Sequence, residues 1–144
     1  MLLPDFGPER QEQLEDATVL VVGCGALGCG VADLLARAGV GTIRIVDRDI
    51  VEQTNLQRQV LYCQADADAS RPKALAAAER LRAVNPTIDI EPVIDDFRAS
   101  NAEDIAAGMS LLIDGLDNFD ARYLLNDLAV KYGLPYIYAG AVGT

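Results

Sequence analysis

Short runs of β-branched and aliphatic residues alternate along this chain with longer stretches whose apolar residues recur every three or four positions. The alternation is the pattern of a parallel sheet covered by helices. Pro8 opens a short helix to Asp16, and Thr18 to Val22 (TVLVV) forms a first buried strand. Gly25 to Ala38 reads as a helix ended by Gly39, followed by a strand from Thr42 to Val46. Ser70 serves as N-cap for a long helix, Arg71 to Val84, rich in strong helix formers and stopped at Asn85-Pro86. A strand over Ile88 to Val93, a short helix over Ala102 to Ala107 and a strand over Leu111 to Asp114 come next. A helix from Phe119 to Tyr132 and a strand from Tyr136 to Ala141 complete the series. With right-handed crossovers these elements predict an α/β fold: a doubly wound, Rossmann-like, mostly parallel sheet in the order 3-2-1-4-5, with helices on both faces. The last strand is apolar and stands at an open edge, so the sequence reads as a fragment or as a chain whose edge is covered by another copy or a partner.

Composition narrows the functional classes. The 144 residues, 51% of them hydrophobic, suit one compact domain over residues 1–144. No apolar run approaches the ~20 residues needed to cross a bilayer, and the N-terminus lacks the charged-then-apolar form of a secretory signal. A cytoplasmic protein with no membrane partner is expected. A formal charge of -10 opposes binding of long nucleic acid but leaves room for a small phosphate ligand. Cys24, Cys29 and Cys63 are odd in number and form no C-x-x-C pair, and we read them as small buried residues rather than a disulfide framework. The chain has no histidine, which removes imidazole bases and the usual zinc ligand sets. A bound metal would therefore be a hard ion held by carboxylate.

Gly23-Cys24-Gly25-Ala26-Leu27-Gly28 fits G-x-G-x-x-G between a strand and a helix, where glycines let backbone approach phosphate at a helix N-terminus. Asp47, at the end of the second strand, is placed to accept hydrogen bonds from ribose hydroxyls. These two features indicate a nucleotide site without choosing between NAD and ATP. Three further segments fall at strand ends or helix starts. They are Arg48-Asp-Ile-Val-Glu-Gln-Thr-Asn-Leu-Gln-Arg-Gln59, Arg71-Pro-Lys73 and Asp114-Gly-Leu-Asp-Asn118. Taken singly, Arg58 also fits a surface or capping arginine, Lys73 a solvated first-turn residue, and Asp114 and Asp117 helix caps.

Taken together, GCGALG, D-x-D followed by NLQRQ, RPK and DGLDN resemble the adenylation domain of the ThiF/MoeB/HesA family, related to the ubiquitin-activating enzymes. The resemblance spans essentially the whole chain. It implies ATP and Mg2+ as cofactors and, as partner, a ubiquitin-like sulfur-carrier protein with a C-terminal Gly-Gly. The carrier's carboxylate would be adenylated with release of pyrophosphate, as in thiamin or molybdopterin biosynthesis. It further implies that Asp47 holds the ribose, that Asn55 and Arg58 contact phosphates, that Lys73 adds a second cation near the α-phosphate, and that Asp117 holds magnesium. Arg58, Lys73 and Asp117 are the catalytic candidates. Gly23, Gly25, Ala26, Gly28, Asp49 and Asn118 join the nucleotide-binding set. Asp114 stays open between loop structure and support behind the metal, while Arg122 and Asn126 are assigned to helix packing and the acidic stretch Asp89 to Asp96 to a solvated strand end.

Relative to the family the domain reads as truncated at both ends. It starts after the Arg-Gln segment whose arginine reaches a neighbouring subunit's ATP site, so Arg10 is not given that role. It stops before the carrier-receiving surface, the reactive cysteine and the paired C-x-x-C zinc site. A longer native protein is expected to be a homodimer. Competing functions are a non-catalytic scaffold subunit, an NAD-dependent oxidoreductase, which would leave NLQRQ and RPK unexplained, and a relative that adenylates a peptide carboxylate or a tRNA base.

Overall fold

A computed structural model describes residues 7–140 of the chain. Five strands, β1 (Thr18–Val22), β2 (Thr42–Val46), β3 (Asp89–Val93), β4 (Leu111–Asp114) and β5 (Tyr136–Tyr138), pair in parallel in the order β3-β2-β1-β4-β5. The expected doubly wound order is therefore the one found. Along β1 the side chains alternate between faces. Val19 and Val21 enter a core shared with Ile43, Ile45, Ala32, Ala77 and Leu81. Leu20 and Val22 enter a second core with Phe97, Ile105, Leu112, Leu125 and Leu128. The first core packs α2 (Ala26–Ala38) and α4 (Lys73–Val84) on one face, and the second packs α5 (Ala102–Ala106) and α6 (Phe119–Tyr132) on the other. A short α1 (Pro8–Glu15) precedes β1. Gly39 ends α2 in the left-handed conformation, as its position after the last apolar repeat predicts.

Several boundaries differ from expectation for local reasons. The helix placed at Arg71 starts instead at Lys73, and Ser70 is not its cap: it sits at φ 48° in the turn before it. Pro72 pushes Arg71 out of the helical region. The segment then runs extended against residues 49–51, with Val51 N donating to Arg71 O at 2.8 Å and Lys73 N to Asp49 O at 2.9 Å. Between β2 and α4 the structure adds a single 3-10 turn, Gln53–Asn55, and a short α3, Gln64–Asp68, neither of which the apolar pattern announced. The final strand ends at Tyr138 rather than Ala141, which lies outside the described residues.

Candidate functional site

The sheet reverses direction of winding between β1 and β4, and the loops leaving these two strands define the crevice where open α/β sheets place their ligands. Gly23 and Gly115 bring those loops together. A Cβ on Gly23, which has φ +88°, would lie 2.7 Å from Gly115 O, and one on Gly115 would lie 2.4 Å from Gly23 O. Over this junction opens a cavity of about 970 Å³. Gly23, Gly25, Ala26, Asp47, Asp49, Asn55, Arg58, Lys73, Asp117 and Asn118 all line it, so residues from four separate segments converge on one space. Gly28 does not line the cavity. A Cβ there would stand 1.9 Å from Gly23 O, so this glycine lets the first turn of α2 pack against the loop.

Each side chain has an identifiable support. Asp47 Oδ2 accepts from Cys24 N and Oδ1 from Asp49 N, both at 2.8 Å, which couples the acid at the end of β2 to the glycine loop. Burial pushes the Asp47 carboxyl above its ordinary value, against the two N–H bonds and the nearby Lys73 charge that favour ionisation. Lys73 is 7% exposed because α4 starts beneath the cavity, and its Nζ reaches Asp49 Oδ2 at 3.4 Å. Asn55 is buried, and its Oδ1 accepts from Glu52 N at 3.1 Å, while its Nδ2 forms no hydrogen bond among the described residues. Arg58 donates from Nη1 to Thr54 O at 3.0 Å and, among the described residues, forms no ion pair. Asn118 caps α6 by accepting from Ala121 N at 3.0 Å. Asp117, just before it, is exposed at the cavity.

Behind Asp117 lies the network that the sequence left open. Asp114 is 1% exposed, accepts from Leu116 N at 2.9 Å and from Tyr136 Oη at 2.7 Å, and faces Arg122 Nε at 2.9 Å. Arg122 returns Nη2 to Leu116 O at 2.7 Å, and its guanidinium lies over the Tyr138 ring, 4.5 Å from the centroid. Leu116, which precedes Asp117, is thus held at both its N–H and its carbonyl. Asp114 supports the loop, and Arg122, expected only to pack its helix, also lines the cavity, whereas Asn126 is exposed. Asp95 and Asp96 likewise reach the cavity rather than ending a solvated strand, with Asp96 held by Arg48 at 3.1 Å. Their approach depends on how the chain leaves β3 toward the cavity, which no local motif encodes.

Cys24 and Cys29 are buried and free, with sulfurs 3.8 Å apart behind the glycine loop. Cys63 departs from the expected burial: it is exposed, and its backbone N and Sγ both bond Asp66 Oδ2 as the start of α3. Among the described residues no group of three or more Cys, Asp or Glu stands together as a metal site, and no helix is long and apolar enough to cross a membrane.

Comparison with known proteins agrees with this geometry. A sulfur carrier protein ThiS adenylyltransferase of Bacillus subtilis (strain 168) is 43% identical over 143 residues, covering 99% of this chain and 43% of the relative. A sulfur carrier protein adenylyltransferase of Thermus thermophilus is 46% identical over 142 residues, covering 99% and 51%. The chain therefore spans about half the length of the curated relatives it matches. Among solved structures, E. coli tRNA N6-threonylcarbamoyladenosine dehydratase in complex with ATP superposes with a TM-score of 0.85 at 30% identity, covering 91% of this chain and 54% of that one. The model of the ThiF family matches residues 1–144, and the chain belongs to that family.

Proposed function

We propose that the cavity binds ATP with Mg2+ and that the chain, as the nucleotide-binding part of an adenylyltransferase, activates the C-terminal carboxylate of a ubiquitin-like sulfur-carrier protein ending in Gly-Gly. The observation that carries this reading is Arg58. It is the one cavity cation without a carboxylate partner among the described residues, and it shares the space with Lys73, the glycine loop and Asp47. A free guanidinium fork suits phosphate oxygens, and a movable ammonium suits a nearby point of charge.

The reaction asks little more of the protein. A carboxylate oxygen attacks the α-phosphorus in line, the new acyl O–P bond forms, and the bond to the pyrophosphate oxygen breaks as charge accumulates on the leaving group. The attacking carboxylate is already ionised at neutral pH, so the absence of histidine removes nothing the step requires. Asp47 would orient the ribose, Asn55 and Arg58 the phosphates, and Lys73 would neutralise charge near the α-phosphate. Asp117 has no ion pair among the described residues and offers a hard oxygen ligand; alone it would hold magnesium weakly, so nucleotide phosphates and water would complete the coordination. Magnesium there would supply charge neutralisation on the phosphates.

The relatives named for sulfur carriers, at 43% and 46% identity, favour a carrier carboxylate over the tRNA base suggested by the dehydratase at 30%. A homodimer in the cytoplasm belongs to the same reading. Calorimetric titration of ATP with magnesium, and separately of NAD, into wild type and Asp117→Ala tests it. ATP should bind, NAD should not, and the substitution should weaken ATP by about tenfold or more. Wild type that binds NAD in preference to ATP, or neither, would sink the reading. ATP binding without pyrophosphate release on addition of a Gly-Gly-ended carrier would favour the scaffold function.

A further inference from the structure

Two buried thiols beside the cavity take no part in the chemistry above. Cys24 and Cys29 are each 0% exposed, and their sulfurs stand 3.8 Å apart. Cys24 precedes Gly25, the N-cap of α2, and Cys29 is the fourth residue of the helix, its N donating to Gly25 O at 2.9 Å. These are the two positions at which a pair of apolar side chains staples a helix N-terminus. Alanine, valine or leucine would serve an apolar staple; two cysteines make one that can close covalently.

Both backbone groups of Cys24 are tied to the surroundings of the site. Its N donates to Asp47 Oδ2 at 2.8 Å, and its O accepts from Tyr62 Oη at 2.8 Å and from Cys29 Sγ at 3.3 Å. On either side of it, Gly23 and Gly25 line the cavity. A sulfur–sulfur bond is about 2.05 Å long, so closing the pair draws the sulfurs together by about 1.8 Å. Cys29 is fixed within α2 and Cys24 lies outside it, so Cys24 takes up the movement. The two cavity glycines and the hydrogen bond to Asp47 move with it. Oxidation also removes the S–H that Cys29 donates to Cys24 O.

We propose that Cys24 and Cys29 are a reversible redox pair whose disulfide reshapes the glycine loop and lowers the affinity of the cavity for its ligand. The effect on ATP rests on the proposed function; formation of the bond does not. The oxidant is a small peroxide. Close to water in size, it reaches the thiols when the first turn of α2, which has no side-chain cap, opens locally. The hydrogen bond with Cys24 holds the Cys29 thiol below its ordinary value, and the same contact together with burial pushes Cys24 up, so Cys29 ionises first. The Cys29 thiolate attacks a peroxide oxygen: the S–O bond forms, the O–O bond breaks, and hydroxide leaves to take up the proton that Cys29 released. The Cys24 sulfur then attacks the sulfenic sulfur of Cys29. The S–S bond forms, the S–O bond breaks, and the hydroxyl departs as water with the Cys24 proton. Two thiols are oxidised, one peroxide is reduced to two waters, and a dithiol restores the pair by exchange.

The test treats Cys63→Ser, which removes the exposed third thiol, with hydrogen peroxide and maps the product by peptide mass. A fragment in which Cys24 and Cys29 are joined, lighter by two hydrogens, is expected. Amide exchange should change across residues 23–29 and ATP affinity should fall by about tenfold, and dithiothreitol should reverse all three changes. By linkage, saturating ATP should then favour the reduced pair by about tenfold, raising the midpoint potential of the disulfide by about 30 mV. Cys29→Ala and, separately, Cys24→Ala in the same background should bind ATP as the reduced protein does and ignore peroxide. Absence of the bond under peroxide treatment that oxidises Cys63 in wild type would overturn the proposal. A disulfide that leaves the affinity of an ATP-binding protein unchanged would do the same, as would an equal peroxide-dependent loss in the two alanine variants. If the reduced protein binds no ATP, the proposed function fails by itself; the joined fragment with altered exchange then still upholds the redox pair, and its absence overturns it.

Discussion

Arg58 and Lys73 differ in what surrounds them, and the difference predicts how each responds to exchange. Arg58 is exposed and anchored through one nitrogen to Thr54 O, leaving the rest of its fork unpaired among the described residues and, in the proposed function, open to a phosphate. Lys73 is enclosed beneath the cavity, with its single ammonium near Asp49, where a longer, planar guanidinium would place its charge differently. Arg58→Lys and Lys73→Arg should each weaken ATP binding by about tenfold despite preserved charge, as calorimetry will show. Asp47 adds a pH dependence. Its folded pKa is raised from 3.8 by burial, so the native state binds its proton more tightly than the unfolded chain does. The ligand-free protein therefore gains stability from Asp47 as pH falls through the window between those two values and loses that contribution as pH rises. In the proposed site a ribose hydroxyl would donate to the ionised carboxylate, so ATP affinity should fall in the same acidic window. Asp47→Asn should flatten this part of the profile in a pH series of titrations. That these residues belong to one group was legible from motif order, and all three line the same cavity. The place of Asp95, Asp96 and Gln59 at the cavity was not legible, because it comes from neighbouring strands and from burial, neither of which a local pattern records.

At the scale of elements, α2 separates two uses of glycine within one helix. Gly28 faces Gly23 O so closely that Gly28→Ala should cost about 3 kcal/mol or more through overpacking. Gly30, two positions on, meets nothing within 4 Å, and Gly30→Ala should stabilise the protein by about 0.5–1 kcal/mol by restoring helix propensity. Chemical denaturation of the two variants would check both signs, and a tolerated Gly28→Ala would contradict the packing described. Sequence places the start of α4 two residues early. Helix propensity from Ala74 onward extends naturally back to Arg71, yet the backbone of residues 71–73 bonds residues 49–51 instead. That long-range pairing, together with Pro72, moves the helix start to the residue whose ammonium enters the cavity.

For the whole molecule, the five strands are unequal. β1 lies at the centre, paired on both sides and buried through Val19 to Val22, whereas β5 is three residues long and, among the described residues, pairs only with β4. Beside it Leu27, Val31, Leu34 and Ile137 line an apolar groove of about 350 Å³. Amide hydrogen exchange should be fastest at Tyr136–Tyr138 and slowest at Val19–Val22 among the strands; equal protection across the sheet would contradict this gradient. Because Tyr136 and Tyr138 brace Asp114 and Arg122, opening of β5 would also loosen the loop that carries Asp117.

By itself the sequence determined the strand order, the two-faced core and the residue types that meet at the switch point, since hydrophobic period, glycine spacing and short motifs are local signals that crossover handedness converts into topology. Only the tertiary structure decided which acids face those motifs, that Gly28 packs rather than lines the cavity, that Arg122 and Asp114 grip the peptide beside Asp117, and that Gln59 is buried with its side-chain oxygen unpaired among the described residues. Those outcomes depend on distances between segments far apart in the chain, which are set when the sheet and its helices close on one another.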